Sequence, residues 1–312
     1  GMIIFNDKGF AKPQMFMNLF ISNAGLIVIG CGMTLVMITG GIDISVGSVT
    51  ALVCMSAAYA MENKGMSAVA AVVISLLIGT LFGIVQGYLV TYLEIQPFIV
   101  TLAGMFFGRG LTAVISTDMI AIQNKTFLKW ANYRINLPFG TYNRRGIFIP
   151  AYIYPTVIIA LAVVILITIM LKFTKFGRSL YAIGGNQQSA VMMGLNVKRT
   201  KMKAYVLDGF LAGLGGFLFC LNSCAGFVEQ AKGLEMDAIA SAVIGGTLLS
   251  GGVGTVIGTL FGVLINGTIS SLITTQGTLS SWWVRITLSA LLCFFIVLQA
   301  VIAAVKRKKK KK

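Results

Sequence analysis

Hydrophobic residues in this chain gather in long unbroken runs, without the alternation of half-buried strands or the one-sided stripe of soluble helices. Runs long enough to cross about 30 Å of hydrocarbon, roughly 17 to 25 residues at helical rise, recur. They lie near residues 15–39, 45–61, 66–92, 97–117, 152–172, 204–224, 252–274 and 282–303, with a shorter apolar piece, 238–249, left over. In hydrocarbon only helices and closed barrels pair every backbone group, and a barrel requires the alternation these runs lack. The pattern predicts an all-α fold: a single-domain polytopic transmembrane helical bundle, 1–312, of about eight to nine membrane segments.

Composition agrees, since 57% hydrophobic against 11% charged is far from the roughly one-quarter charged residues of soluble domains. The chain contains no histidine, which excludes HExxH sites, Ser-His triads and His-ligated metals. Cys31, Cys54, Cys220, Cys224 and Cys293 all fall in apolar segments without CxxC spacing and read as small hydrophobes. The sequence argues against an enzyme.

A net charge of +16 would suggest nucleic acid in a soluble protein. Here the excess sits in two blocks beside membrane segments, without interleaved aromatics, so it reads as topology and not as nucleic-acid binding. Between Lys172 and Lys203 the chain carries Lys172, Lys175, Arg178, Lys198, Arg199, Lys201 and Lys203 and no acid, and Lys306 to Lys312 is wholly basic. By the positive-inside rule both regions should be cytoplasmic, including a loop of about 173–203. The loop of about 118–151, with Lys125, Lys129, Arg134, Arg144 and Arg145 beside Asp118, should then face outside.

Counting back from the basic loop places residue 1 on the outer face. The opening GMIIFNDKGFAKPQ is too short and polar to span, so a further upstream helix is expected, the alternative being an N-terminus that natively lies outside. Counting forward requires one more crossing, and only AIASAVIGGTLL, 238–249, is free to supply it. Its length gives about 18 Å of helix, too little to cross alone. A broken or re-entrant passage is predicted, interrupted by the glycines at 245, 246, 251 and 252 and covered by protein or a water-filled cavity. Glycines at four-residue spacing (Gly79, Gly83 and Gly87; Gly209 and Gly213; Gly254, Gly258 and Gly262) each lay a smooth stripe on one helix face, suited to close helix packing.

The polar interruptions are the candidate functional positions. Asp43, in TGGIDISVGS, is costly if deep in the membrane and functional by default there; at a surface turn it would be an ordinary N-cap taking the N–H groups of Ser45 and Val46. Arg109 lies midway along its run and must snorkel, pair or face water, with Asp43 one available partner. Asp208 stands close to Lys201 and Lys203 and reads as a surface pair. Glu229, Glu235 and Asp237 fall in an expected external loop, where solvation accounts for them. In the basic loop, Asn186 suits an N-cap, Gln187 to Met193 two helical turns and Gly194 a left-handed helix end. That short helix, with Ala190, Val191 and Met193 together, would dock a soluble partner or lie on lipid headgroups.

Three ordered blocks now carry a resemblance. GMTLVMITGGIDISVGS (32–48), the YAIGGN and GLNVKR elements of the basic loop, and EMDAIASAVIGGTLLSGGVGTVIGTLFG (235–262) resemble the permeases of ribose-type sugar ABC importers. TLAGMFFGRG (101–110) and GTLSSWW (277–283) further resemble one of the two permeases of bacterial galactofuranose importers. The resemblance implies a type II ABC importer permease of about ten helices, paired with a second permease, two cytoplasmic ATPases and an extracytoplasmic sugar-binding protein, in the bacterial inner membrane. ATP and Mg would be bound by the partner ATPase and no cofactor by this chain, which lacks a GxxxxGK[ST] phosphate loop. The family's coupling segment falls on 184–205, implicating Gly184, Gly185, Asn186, Met193, Gly194, Lys198 and Arg199. Asp208 departs from the small hydroxyl or polar residue expected at its position. Asp43, Ser45, Ser48 and Arg109 are expected near a sparsely polar sugar path. The competing readings are a nucleoside or branched-chain amino acid permease of the same machinery, an ion-coupled secondary transporter or channel, and a structural membrane protein.

Overall fold

The computed structural model describes residues 12–142, 147–276 and 282–309, and for 300 and 302–309 the backbone alone. The chain's opening residues, Arg144 and Arg145, the first part of the GTLSSWW stretch and the side chains of the terminal lysine run therefore lie outside the described residues. In order the elements are α1 (Pro13–Ile38), α2 (Val46–Glu62), α3 (Ala68–Thr91), α4 (Pro97–Ile115), β1 (Ile120–Ala121), α5 (Lys125–Asn132), β2 (Ile135–Tyr142) and β3 (Phe148–Ile153). They continue with α6 (Pro155–Phe173), α7 (Lys175–Gly185), α8 (Gln187–Met192), α9 (Val197–Ser223), β4 (Ala225–Gly226), α10 (Leu234–Ile244), α11 (Val256–Gln276) and α12 (Trp282–Lys309).

Seven of these helices are long and apolar enough to cross a membrane, and α2 is a shorter apolar one. All eight coincide with the hydrophobic runs. Proline opens α1, α4 and α6, where its fixed φ suits the first turn and its missing N–H costs nothing. Side-chain caps start others: Ser67 accepts from the Ala70 N–H at 3.2 Å for α3, and Asn196 from the Arg199 N–H at 2.9 Å for α9.

α1 and α9 form the centre, each largely buried, while α3, α4, α11 and α12 turn apolar faces outward. The glycine stripes do the close packing expected of them, except at Gly254, which precedes α11 and meets the Thr247 side chain instead. A Cβ on Gly79 would meet the Gly209 carbonyl, one on Gly209 the Gly79 carbonyl, and one on Gly213 the Ser75 carbonyl at 2.5 Å, so α3 and α9 touch backbone to backbone. Likewise Gly258 and Gly262 of α11 abut the carbonyls of Gly245 and Ser241 on α10. At that distance dispersion holds together helices that gain nothing from leaving a solvent as apolar as themselves.

The leftover piece does make a broken passage, although the break begins earlier than the glycines. After α9 the chain pairs β4 with β1 and then runs without regular structure past the middle of α2, with Gly226 against Met55 and Ala231 against Gly47. α10 starts only there, at Gly233 with φ 92°, and runs 11 residues. Its end is a left-handed Gly246 whose N–H bonds the Val243 carbonyl at 3.0 Å, while the Thr247 N–H bonds that of Ala242 at 2.9 Å. Glu235 accordingly is buried against Gly47, not solvated in an external loop as its sequence position suggested.

The 118–151 segment is also more structured than a loop. α5, the β2–β3 hairpin and the β1–β4 pair occupy the α1 N-terminal end of the bundle. Gln14 ties the hairpin to α1 by donating to the Tyr152 carbonyl (3.2 Å) and accepting its N–H (2.8 Å), and Arg134 stacks over the Tyr152 ring at 4.5 Å. α7 lies at the other end, with Gly184 beside Ile38, and α8 packs on α7 and the start of α9.

Candidate functional site

The stretch after α1 owes its shape to TGG. Gly40, at φ 82°, donates to the Met37 carbonyl (2.9 Å) and Gly41 to that of Val36 (3.1 Å), the paired bonds of a helix end closed by a left-handed residue. The chain then turns back into the bundle instead of resting at its surface, and Asp43 is 3% exposed. Its Oδ1 accepts the Ser45 N–H and the Ser45 O–H, both at 2.7 Å. The N-cap of α2 is Ser45 itself, without a side-chain cap, so Asp43 takes the expected N–H of Ser45 but not that of Val46.

A chain of hydrogen bonds leads outward from Asp43. Gln86 of α3 donates to Ser45 Oγ at 2.8 Å, and Ser48 Oγ donates to the Ser45 carbonyl at 2.7 Å. α4 closes over them with small residues: a Cβ on Gly104 would meet Gln86 Nε2, and one on Gly108 would meet Ser48 Oγ at 2.8 Å. Thr101, also on α4, sits 3.4 Å from the Ile42 carbonyl. Beside this polar set lies a groove of about 450 Å³ between α3 and α4, lined by apolar groups such as Phe82, Leu89 and Phe107 and by Gln86. Gln86 Oε1 is buried and has no hydrogen-bond partner, leaving one acceptor at the groove wall. Gln86 and Thr101 escaped the sequence reading; an amide inside an otherwise apolar run was the available signal.

Arg109 does not meet Asp43. Its Nη1 donates to the carbonyls of Val228 (2.7 Å) and Gln230 (2.6 Å), with Glu235 and Glu229 as its charged neighbours. It clamps the descending segment ahead of α10, whose backbone has no helix to satisfy it.

Asp208 is the larger departure. Far from pairing with Lys201 or Lys203 at a surface, it is fully buried on α9, against Gly32 of α1 and facing Asp43. Lys203 and Lys201 precede Asp208 by five and seven residues, roughly one and a half and two turns, so Asp208 lies deeper along α9 while Lys201 reaches Gln187 at 2.7 Å.

In the basic segment, Asn186 caps α8 by accepting the Ser189 N–H at 2.9 Å, and Gly194 ends it at φ 77°, both as expected. Ala190, however, points inward onto Ile183 and Val197, leaving Val191, Met192 and Met193 exposed. Gly184 is an interior contact: a Cβ there would meet the Ile38 carbonyl and Gly252 N, and the Gly252 N–H donates to that same Ile38 carbonyl at 2.9 Å. Tyr181 adds a bond to the Gly254 carbonyl at 2.8 Å. Gly185, Asn186, Met193, Gly194, Lys198 and Arg199 are exposed, and Lys198 pairs with Glu94 at 2.9 Å, which holds the Glu94 carboxyl below its usual range. α7 thus touches the last residue of α1, immediately before the turn that carries Asp43.

Residues 15–296 match the family described as branched-chain amino acid transport system / permease component. The chain belongs to this family. It is 42% identical over 291 residues to the inner membrane ABC transporter permease protein YjfF of Escherichia coli, covering 93% of this chain and 85% of that protein. It is 36% identical to the fructose import permease protein FruG of Bifidobacterium longum (92% and 83% covered) and 38% identical to the ribose import permease protein RbsC of Bacillus subtilis (85% and 78%). No solved structure matches it significantly. The permease is a multi-pass inner-membrane protein, a helical transport component of the kind its relatives' names describe.

Proposed function

We propose that this permease is the membrane-spanning subunit of an ATP-driven importer, passing a monosaccharide of the galactofuranose or ribose type from an extracytoplasmic binding protein to the cytoplasm. A cytoplasmic ATPase supplies the work on ATP and Mg, and a second permease, a copy or a homologue, completes the path. The named relatives that import ribose and fructose support a sugar as cargo. The observation that carries the coupling is the two-sided α7–α8 segment. Outward it presents Val191, Met192 and Met193, and inward its Gly184 backbone rests on the Ile38 carbonyl.

Work enters as a displacement of α7 and α8 when the ATPases close. It passes through rigid backbone contact to the end of α1 and the Gly251–Gly252 turn, and so to the Asp43–Ser45–Gln86 chain. ATP shifts the access equilibrium only as far as it favours one state over the other. The sugar passes without chemistry: Gln86, Ser45 and Ser48 offer alternating donors and acceptors for hydroxyls, and the apolar groove wall keeps the hold weak enough for release. Arg109 serves the path indirectly, by holding its wall.

The test is reconstitution in vesicles with the candidate ATPase and second permease. Sugar uptake that requires ATP and the ATPase is expected; uptake by this chain alone under an ion gradient would overturn the reading. Nucleoside or amino acid uptake in the same assay would keep the machinery and replace the cargo. Outside labelling of intact cells carrying Ser189→Cys should leave that cysteine unmodified.

A further inference from the structure

Asp208 is the one side chain among these to which the sugar path assigns no work. It is fully buried, and neither carboxyl oxygen has a hydrogen-bond donor among the described residues. α1 shuts it from water on one side, since the space a Gly32 Cβ would need is taken by Asp208 Oδ1 and lies 3.1 Å from its Cα. Across from it is Asp43, also buried, whose Oδ1 is already engaged by both donors of Ser45. Less than one turn before Asp208, the hydroxyl of Tyr205 is buried and without a partner. It lies 2.6 Å from where a Gly41 Cβ would stand, pointing at the turn that holds Asp43, and it faces both carboxyls.

No cation among the described residues compensates them. The ion pairs among the described residues are Lys198 with Glu94 and Lys232 with Glu229. Arg109 is committed to two carbonyls and Lys201 to Gln187. The elements packed around the pair present Gly32 and Val36 from α1, Gln86 from α3 and Thr101 from α4, none of them charged. Two adjacent carboxylates without water, cation or a full set of donors repel strongly at low dielectric, and such pairs retain one proton.

We propose that Asp43 and Asp208 hold a single proton between them, a buried proton site that joins α9 to the turn between α1 and α2. Ser45 stabilises the negative charge on Asp43, so the proton resides on Asp208 and is donated toward Asp43, with the unpartnered Tyr205 hydroxyl buried beside them. α9 begins in the basic segment, at Val197 after its cap Asn196. Any movement of α9 that lets water reach the pair lets the proton leave, and two like charges then drive α9 from the turn. The site does not depend on which substrate the permease carries.

Infrared absorption of the full chain in lipid nanodiscs tests this at about pH 8, where ordinary carboxyls, titrating near 4, are ionised. With aspartate labelled by carbon-13 at its side-chain carboxyl, a protonated-carboxyl C=O band that moves with the label is expected. Asp208→Asn should abolish it, and Asp43→Asn should keep it at a changed frequency, because the proton's acceptor has changed. No labelled band in the wild-type protein overturns the proposal without recourse to any variant. A band unaltered by Asp208→Asn, or, should that variant fail to fold, unaltered by Asp43→Asn, overturns it equally.

Discussion

Helices α3 and α4 both carry glycines four residues apart and use them in opposite ways. On α3, Gly79 and Gly83 lie against the backbone of α9, which cannot give way. On α4, Gly104 and Gly108 lie against side chains, the Gln86 amide and the Ser48 hydroxyl, and make room for a polar chain beneath an otherwise apolar helix. The same spacing marks a smooth face in both. What comes up to that face, facing backbone or a polar side chain, depends on the neighbouring element.

The contrast can be broken by substitution. Gly79→Leu or Gly83→Leu should have the largest effect, above the roughly 1–3 kcal/mol usual for overpacking because the obstruction is backbone on a facing helix. Little folded protein should survive size-exclusion chromatography in mild detergent.

Arg109→Ala comes next, leaving the Val228 and Gln230 carbonyls without their donor. Loss of charged hydrogen bonds predicts about 3 kcal/mol, read as a lowered melting temperature. Arg109→Lys should recover most of it, because a single nitrogen serves both carbonyls and the planar fork is not used.

Gly104→Ala sharpens the comparison directly. Its Cβ collides with the far end of Gln86 and otherwise only touches Ser45 Cβ at 3.4 Å, so stability should change by less than about 1 kcal/mol while uptake in vesicles falls. Gln86→Leu should reduce uptake similarly, by roughly tenfold for one lost polar contact of about 1.4 kcal/mol. Equal thermal damage from Gly104→Ala and Gly79→Leu would abolish the distinction between the two helices.

Met192→Ser with Met193→Ser touches an exposed surface and should leave stability within about 0.5 kcal/mol. Co-purification of the ATPase should fall in the same preparation.

The smallest effect is at Glu94. Lys198 lowers its carboxyl from the ordinary 4.5, so the folded state favours the ionised form. The pair's contribution is present above the unfolded value and is lost as pH falls through the folded one. Full exposure keeps it small. A melting-temperature titration across the acid range should show this slight dependence in the wild type and its loss in Glu94→Gln.

Much of the architecture is legible in the amino-acid sequence alone. Each long run forms a helix, because leaving water is decided residue by residue and a helix satisfies its own backbone. The cap at Asn186 and the left-handed end at Gly194 are equally local: they depend on a side-chain oxygen or a missing Cβ within a few residues. The extent of α8 follows almost to the residue for this reason. Its exposed face does not, since only packing on Ile183 and Val197 turns Ala190 inward.

Charged and polar residues resist the same reading. Asp208 sits beside two lysines in sequence and beside Asp43 in space; Arg109 has an acid available in the sequence and takes two carbonyls instead. The sequence by itself determined which stretches must enter the membrane and which family they belong to. Tertiary structure alone decided which helix face meets which neighbour, how far the segment before α10 descends, and whose charge faces whose. Hydrophobic partition and capping act over a few residues, whereas the partner of a buried polar group is chosen by helices far apart in the chain.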